Sequence, residues 1–176
     1  MGSVPNFAVP IFAPMSLLTE ELKAWIGREA HYPAREELGR ASIRYFALAM
    51  GDDNPLYVDD AYAREAGYPS VIAPPTLICE TCQYAHRAPD EEGYIGHEWH
   101  LPVSGCRLIR AGNDYEFMRP VLPSDRISVT WKLEDMVERS SSRGGTQLFV
   151  TSVARYFGAD GALVATNRET LVYQPL

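Results

Sequence analysis

The alternation Ile127-Ser128-Val129-Thr130-Trp131-Lys132-Leu133-Glu134 constrains this chain more than any other stretch. Apolar and polar residues change places at every step, the period of a β-strand with one face buried and one face wet. Ser140 to Gly145 then has turn composition, Gln147 to Phe157 is rich in β-branched and aromatic residues, Gly158-Ala159-Asp160-Gly161 turns again, and Leu163 to Tyr173 finishes the series. Three long consecutive strands predict an antiparallel meander. A sheet of that kind must cover its apolar face with something from the first half of the chain.

The first half supplies helical spacing. Thr19 is read as the N-cap of a short helix with Leu18, Leu22, Trp25 and Ile26 on one side and Gly27 closing it. Ser42 is read as the cap of a second helix, in which Ile43, Phe46, Ala47 and Met50 share a face until Gly51. Asp59 starts a third through Tyr62 and Ala63, closed by Gly67 and Pro69. Pro74-Pro75 then opens a helix expected to run from Thr76 to about Arg87, since proline is tolerated in a first turn where its missing N–H has no partner. With Leu77, Ile78, Cys79, Cys82, Tyr84 and Ala85 it is apolar nearly all round, so it is expected inside the sheet. The expectation is an α+β fold, an antiparallel sheet wrapped around a central apolar helix. It forms one domain over residues 1–176, with 1–15 as an extended arm broken by Pro5, Pro10 and Pro14.

Composition narrows the function classes. A chain of 176 residues, 46% hydrophobic and 22% charged, has the makeup of a globular domain. Its formal net charge of -7 leaves no basic surface to neutralise a phosphate backbone, so nucleic acid is not an expected partner. Three cysteines are too few and odd in number for a disulfide framework, which points to a reducing compartment and hence the cytoplasm. Met1 to Pro14 carries no Lys or Arg and no unbroken apolar run, so it reads as neither signal peptide nor membrane span. Cys79 and Cys82 have C-x-x-C spacing without a second pair and are read as buried thiols. His97 and His100 have H-x-x-H spacing without a third ligand, so neither metal nor cofactor is expected.

The densest polar cluster is Gly51-Asp52-Asp53-Asn54-Pro55-Leu56-Tyr57-Val58-Asp59. On residue types alone it is a loop between two helices, with Asp59 as a cap. The same stretch resembles the signature G-D-x-N-P-x-H-x-D of the MaoC-like, hotdog-fold (R)-specific enoyl-CoA hydratases. It matches every fixed position except that Tyr57 stands where the family has histidine. Ile72-Ala73-Pro74-Pro75-Thr76 resembles the entry to the family's hotdog helix, in the form found in the branch similar to the N-terminal MaoC (FAS1-like) dehydratase domain. Tyr115 to Arg126 is similar to the family's F-x-R-P-V-x-P-G-D strand and turn, with Ser124 in place of glycine. The likeness runs from about Ile26 to the C-terminus.

The resemblance implies a hotdog fold and the addition of water to a trans-2-enoyl thioester, or its removal from a (R)-3-hydroxyacyl thioester, carried on CoA or on acyl-carrier protein. Such chemistry needs a base, an acid, and donors for the thioester oxygen as it gains charge. By the resemblance, Asp52 holds or deprotonates water. Tyr57 takes the place of the histidine as acid or hydrogen-bond donor, because a phenol with an ordinary pKa of about 10 is a poor base near neutrality. Asn54 braces the loop or touches substrate. Pro74 and Pro75 lack an N–H, so Thr76, through its N–H and hydroxyl, and the Leu77 N–H are the first donors available to the thioester carbonyl. His97 and His100, in a loop before the strands, are candidates for a lid over the pocket. Arg107, Arg110, Arg119 and Arg126 are the most clustered positive charges and are candidates for a carrier phosphate or for solvated strand ends. The family also implies a homodimer with a continuous sheet, or a heteromer with another hotdog subunit. Three functions stay open at this point: a working hydro-lyase, a non-catalytic subunit shaping the acyl pocket beside a histidine-bearing partner, and a thioesterase.

Overall fold

The computed structural model describes residues 16–80, 82–141 and 145–176. The expected arm, residues 1–15, lies outside them. Strands β1 (Glu29–Tyr32), β2 (Cys106–Phe117), β3 (Ser128–Ser141), β4 (Gly145–Phe157) and β5 (Leu163–Pro175) form one sheet in the order β1-β3-β4-β5-β2, every neighbouring pair antiparallel. The meander of β3, β4 and β5 is where the alternation predicts it. The short β1 covers the outer edge of β3, and β2 covers β5 and leaves its own far edge open.

Register explains the core. Phe117, Ala165, Tyr156 and Val129 lie opposite one another across β2, β5, β4 and β3, and the next inward rung is Tyr115, Asn167, Ala154 and Trp131. The rung after that is Asn113, Glu169, Ser152 and Leu133. Apolar clusters sit at both ends of this face, one around Val129, Trp131, Tyr156 and Ala165, the other around Leu133, Leu148, Val150 and Leu171. Between them runs a belt of buried polar side chains: Ser152, Asn167 and Glu169.

The first two helices add Leu22 and Ile43 to the two apolar clusters, and the third packs on the turn that follows the second. In α1 (Glu20–Lys23) the Thr19 hydroxyl accepts from the Leu22 N–H at 3.2 Å, as its cap role predicts. The Gly27 N–H then ties this piece to the Leu133 carbonyl of β3 at 2.8 Å. Helix α2 (Arg40–Met50) begins two residues before Ser42, so Ser42 lies in its first turn and Gly39 takes the cap position. The reason is tertiary: the Leu38 and Gly39 N–H groups donate to the Asp125 and Pro123 carbonyls at 2.9 and 2.8 Å, so a neighbouring loop sets the start. Ile43 and Ala47 are buried as the spacing predicts, while Met50 is exposed. Gly51 ends the helix in the left-handed region, φ 67°, where glycine carries no Cβ penalty. In α3 (Asp60–Glu65) the Asp59 carboxylate accepts from the Ala61 and Tyr62 N–H groups.

The central helix is the main departure from expectation. Instead of an α-helix from Thr76 to Arg87, a 3-10 helix spans Pro75–Glu80 and turns occupy 82–87. Thr, Ile and Cys are weak helix formers, and the Gln83 side chain donates to the Ile78 carbonyl at 2.8 Å, taking an acceptor that a continuing helix uses. Burial holds for all but Ala85, which is exposed: Leu77, Ile78, Cys79, Cys82 and Tyr84 pack onto Val129, Trp131, Ala154 and Tyr156, and Trp131 Nε1 donates to the Tyr84 hydroxyl at 2.8 Å. No helix among the described residues is long and apolar enough to cross a membrane.

Ile43 is 0% exposed and Leu48, on the same helix, 68%. Ile43→Ala is expected to cost about 2–5 kcal/mol in urea unfolding. Leu48→Ala is expected to stay within about 0.5 kcal/mol of the wild type.

Candidate active site

The turn after α2 is built from two side-chain caps in series. The Asp52 N–H closes α2 on the Ala47 carbonyl at 2.9 Å, and Asp52 Oδ1 accepts from the Asn54 N–H at 3.1 Å. Asn54 Oδ1 in turn accepts from the Leu56 N–H at 3.0 Å and opens a 3-10 turn, Pro55–Tyr57. Both are local bonds of the kind Asp and Asn make in turns. Their result is to deliver Tyr57 to the wall of a cavity of about 280 Å³, which also has Ile72, Ala73, Pro74, Pro75, Ile78 and the run Phe117 to Val121 as walls.

That cavity is held together by backbone bonds between its segments. The Ile72 N–H donates to the Leu56 carbonyl at 3.0 Å and the Ala73 N–H to the Val121 carbonyl at 2.7 Å. The Val121 side is fixed by an ion pair: Arg119 grips both Asp125 oxygens, at 2.8 and 3.1 Å, and Asp125 Oδ2 also accepts from the Leu122 N–H at 2.8 Å. Burial pushes the Asp125 carboxyl up, but Arg119 and the Leu122 N–H outweigh it and hold the group below the usual carboxylate range.

The expected site residues divide. Asp52, Asn54 and Tyr57 share one turn, but only Tyr57 faces the cavity, while Asp52 is exposed and lies outside its wall. Tyr57 is raised above the ordinary phenol range by burial first and by the Asp52 charge second, with the Asn54 side chain acting the other way. The phenol is therefore protonated at neutral pH and has a proton to donate. Thr76 is exposed, next to the wall residue Pro75. The Leu77 N–H, expected as a donor to a thioester, already donates to the Pro74 carbonyl at 3.0 Å, because the 3-10 turn uses it.

The two histidines do not form a lid over this cavity. His97 is buried, stacked on Trp131 at 4.8 Å, edge-on to Trp99 at 4.4 Å, with Nδ1 2.8 Å from the Tyr32 hydroxyl. Burial first, then the nearby Arg87 charge, pushes its pKa down to about 3. Aromatic residues at 32, 99 and 131 draw the imidazole inward, which no local pattern shows. It borders a separate depression of about 750 Å³ rimmed by Asp90, Glu91, Glu92 and Glu98, which shares no wall residue with the Tyr57 cavity. His100 is exposed, 3.7 Å from Glu98.

The four arginines are engaged: Arg107 with Gln174, Arg110 with Glu169 at 2.9 Å, Arg119 with Asp125, and Arg126 with the Arg35 carbonyl at 3.0 Å. Of these only Arg119 borders the Tyr57 cavity. No cluster of His, Cys, Asp or Glu suited to a metal occurs among the described residues. Sequence reasoning passed over Asn113, Asn167 and Glu169, whose signal is a polar residue at an inward-facing step of a strand.

The family described as the FAS1-like dehydratase domain region matches residues 24–167. The chain belongs to this family. The FAS1-like domain is 32% identical over 150 residues to a UPF0336 protein of Saccharopolyspora erythraea, covering 85% of this chain and 89% of that one. It is 30% identical over 161 residues to a protein of Thermomonospora curvata named probable enoyl-CoA hydratase alpha subunit, covering 87% of this chain and only 50% of the relative. Among solved structures it resembles the ChsH1-ChsH2 complex of Mycobacterium tuberculosis with a TM-score of 0.66 at 22% identity, covering 84% of this chain and 89% of that one, a likeness of fold. The MaoC-like hotdog membership implied by the motifs is thus shown, and the FAS1-like domain is a hotdog of the hydratase and dehydratase type.

His97 supplies a pH test of this packing. Its folded pKa lies below the ordinary 6.5, so the buried neutral form stabilises the fold above pH 6.5, and that stability is lost as pH falls toward about 3. Wild-type unfolding free energy is expected to fall by up to about 1.4 kcal/mol per pH unit in this window. In His97→Gln, which does not titrate, the slope between pH 6.5 and about 5, above the carboxylate range, is expected to flatten.

Proposed function

We propose that this chain is the acyl-pocket subunit of a hydro-lyase that adds or removes water at the 2,3-position of an acyl thioester, with the imidazole supplied by a histidine-bearing hotdog partner. The observation that carries this reading is Tyr57: a protonated phenol, and no imidazole, faces the cavity beside Pro74-Pro75. The phenol donates to the substrate, and the apolar walls from Ile72, Ile78 and Phe117 take its alkyl chain. Asp52, exposed yet close enough for its charge to act on Tyr57, holds the water where a second subunit meets this surface. Three further features favour a partner. Strand β2 has an open edge, Leu108, Phe117 and Met118 are 44%, 39% and 44% exposed, and the Thermomonospora relative is named as an alpha subunit. The substrate is a CoA or acyl-carrier-protein thioester.

The test is hydration of crotonyl-CoA, followed by loss of enoyl absorbance, for the chain alone and mixed with a hotdog subunit carrying the complete G-D-x-N-P-x-H-x-D sequence. Lack of a positioned base predicts a rate for the chain alone about 100-fold or more below the mixture. Tyr57→His, which restores the missing imidazole, is expected to raise the rate of the chain alone. Full activity of the unmixed wild type, unaffected by Asp52→Asn, contradicts the reading.

A further inference from the structure

Behind the Tyr57 cavity, the polar belt of the core encloses a second, smaller cavity of about 80 Å³. Of its wall atoms, Asn167 Oδ1 is buried and makes no hydrogen bond among the described residues, and the Tyr156 hydroxyl, also buried, is met there by the Cys79 thiol, a weak partner. Both residues are almost wholly inaccessible, Asn167 at 2% and Tyr156 at 0% exposure. A buried polar atom without a partner costs about 1–3 kcal/mol, so a core rarely keeps one beside a weakly bonded phenol around one space without something to bind there. Asn167 Nδ2 donates to Asn113 Oδ1 at 2.9 Å, and whichever way these two amides are turned, one polar atom of Asn167 is left over. Burial, with the Cys79 thiol next to it, keeps the Tyr156 phenol protonated and hence a donor.

The space adjoins the acyl cavity along two walls. Ile78 lines the Tyr57 cavity and its neighbour Cys79 lines the polar one. On β2, Phe117 lines the first and Tyr115, two residues back on the same face, lines the second, their rings stacked 5.8 Å apart. The two spaces share no wall residue, so an acyl chain reaches Tyr156 and Asn167 from the first only if the Phe117 and Tyr115 rings or Ile78 turn aside.

The group that fits must accept from a phenol and satisfy either an amide oxygen or an amide nitrogen. A hydroxyl does both, whereas a methyl terminus leaves the Asn167 atom unpaired and the phenol with the thiol alone. We propose that the Tyr156–Asn167 cavity binds a hydroxyl at the far end of the acyl chain, distinct from any at the 2,3-position, making an ω-hydroxylated acyl group the preferred substrate class. This rests on the acyl-pocket reading above and adds a specificity element to it. A site built to hydrogen-bond a hydroxyl discriminates against the analogue lacking it far more strongly than an apolar pocket discriminates between chain lengths.

Two experiments test it. In equilibrium binding, ω-hydroxyacyl-CoA thioesters of increasing length are compared with the unsubstituted thioesters of equal length. At the matching length the hydroxylated ligand is expected to bind about tenfold or more tightly, and Tyr156→Phe and Asn167→Leu are each expected to remove most of that preference. Equal affinity at every length overturns the proposal and leaves the acyl-pocket reading intact. The second experiment needs no thioester: crystals soaked in 1-hexanol are expected to show the alcohol oxygen bonded to Tyr156 and Asn167. Only ordered water there in the soaked crystal overturns the proposal. The alcohol in place in a protein that binds no acyl-CoA retains the hydroxyl site and removes the acyl-pocket reading.

Discussion

The pair of Arg119 and Asp125 is the interaction on which the site depends. Its two parallel hydrogen bonds close a turn that contains Pro120 and Pro123 and has almost no regular structure of its own. A bidentate guanidinium and carboxylate pair fixes orientation as well as distance, which is what a loop needs if it is to serve as a template. From this turn, carbonyls of Val121, Pro123 and Asp125 receive the N–H groups of Ala73, Gly39 and Leu38. One of these bonds sets the approach to Pro74-Pro75, and the other two set the start of α2, at whose far end Asp52 and Tyr57 lie. Removing the carboxylate therefore releases the cavity wall and the helix entry together, while leaving a partly buried guanidinium without its partner.

The inner face of the sheet is divided between stability and selectivity. Apolar residues at both ends hold it onto the 3-10 segment and α1, and the middle is given over to Ser152, Asn167 and Glu169. Ser152 accepts from Trp99 Nε1 at 2.9 Å, and Glu169 is paired with Arg110, so these two are internally satisfied. Polar groups in such a position weaken a core unless they are matched, and a ligand group is one way of matching those that the protein leaves over. The two larger openings are also electrostatically unlike. The Tyr57 cavity has Arg119 as its charged wall residue, whereas the depression beside His97 is rimmed mainly by carboxylates, which repel the phosphates of a CoA or carrier.

Much of this fold was legible in the chain. The alternation from Ile127 to Leu133 and the turn at Gly158 locate the meander because strand period and turn chemistry are local properties, while of the expected turn from Ser140 to Gly145 the residues Ser140, Ser141 and Gly145 belong to the paired strands and 142–144 lie outside the described residues. The caps at Thr19 and Asp59 and the stop at Gly51 are local too, and they hold. The start of α2 was misread at Ser42 because carbonyls more than eighty residues away take the N–H groups of Leu38 and Gly39. The central helix was overestimated since its apolar character reports burial and not helicity, and Gln83 competes for a backbone acceptor. At the site, the cluster from Asp52 to Tyr57 is contiguous and so was visible, whereas the enclosure of His97 by Tyr32, Trp99 and Trp131 is assembled from distant segments. Asn113, Asn167 and Glu169 could have been singled out, as polar residues at inward steps of strands, only once the register was known.

The most direct measurement is a crystal structure of the chain with butyryl-CoA, a saturated thioester that cannot be hydrated. The acyl tail is predicted to lie between Ile78 and Phe117, with the thioester end within hydrogen-bonding reach of the Tyr57 hydroxyl. A thioester bound instead in the carboxylate-rimmed depression beside His97 and Trp99, with the Tyr57 cavity filled by water, contradicts it.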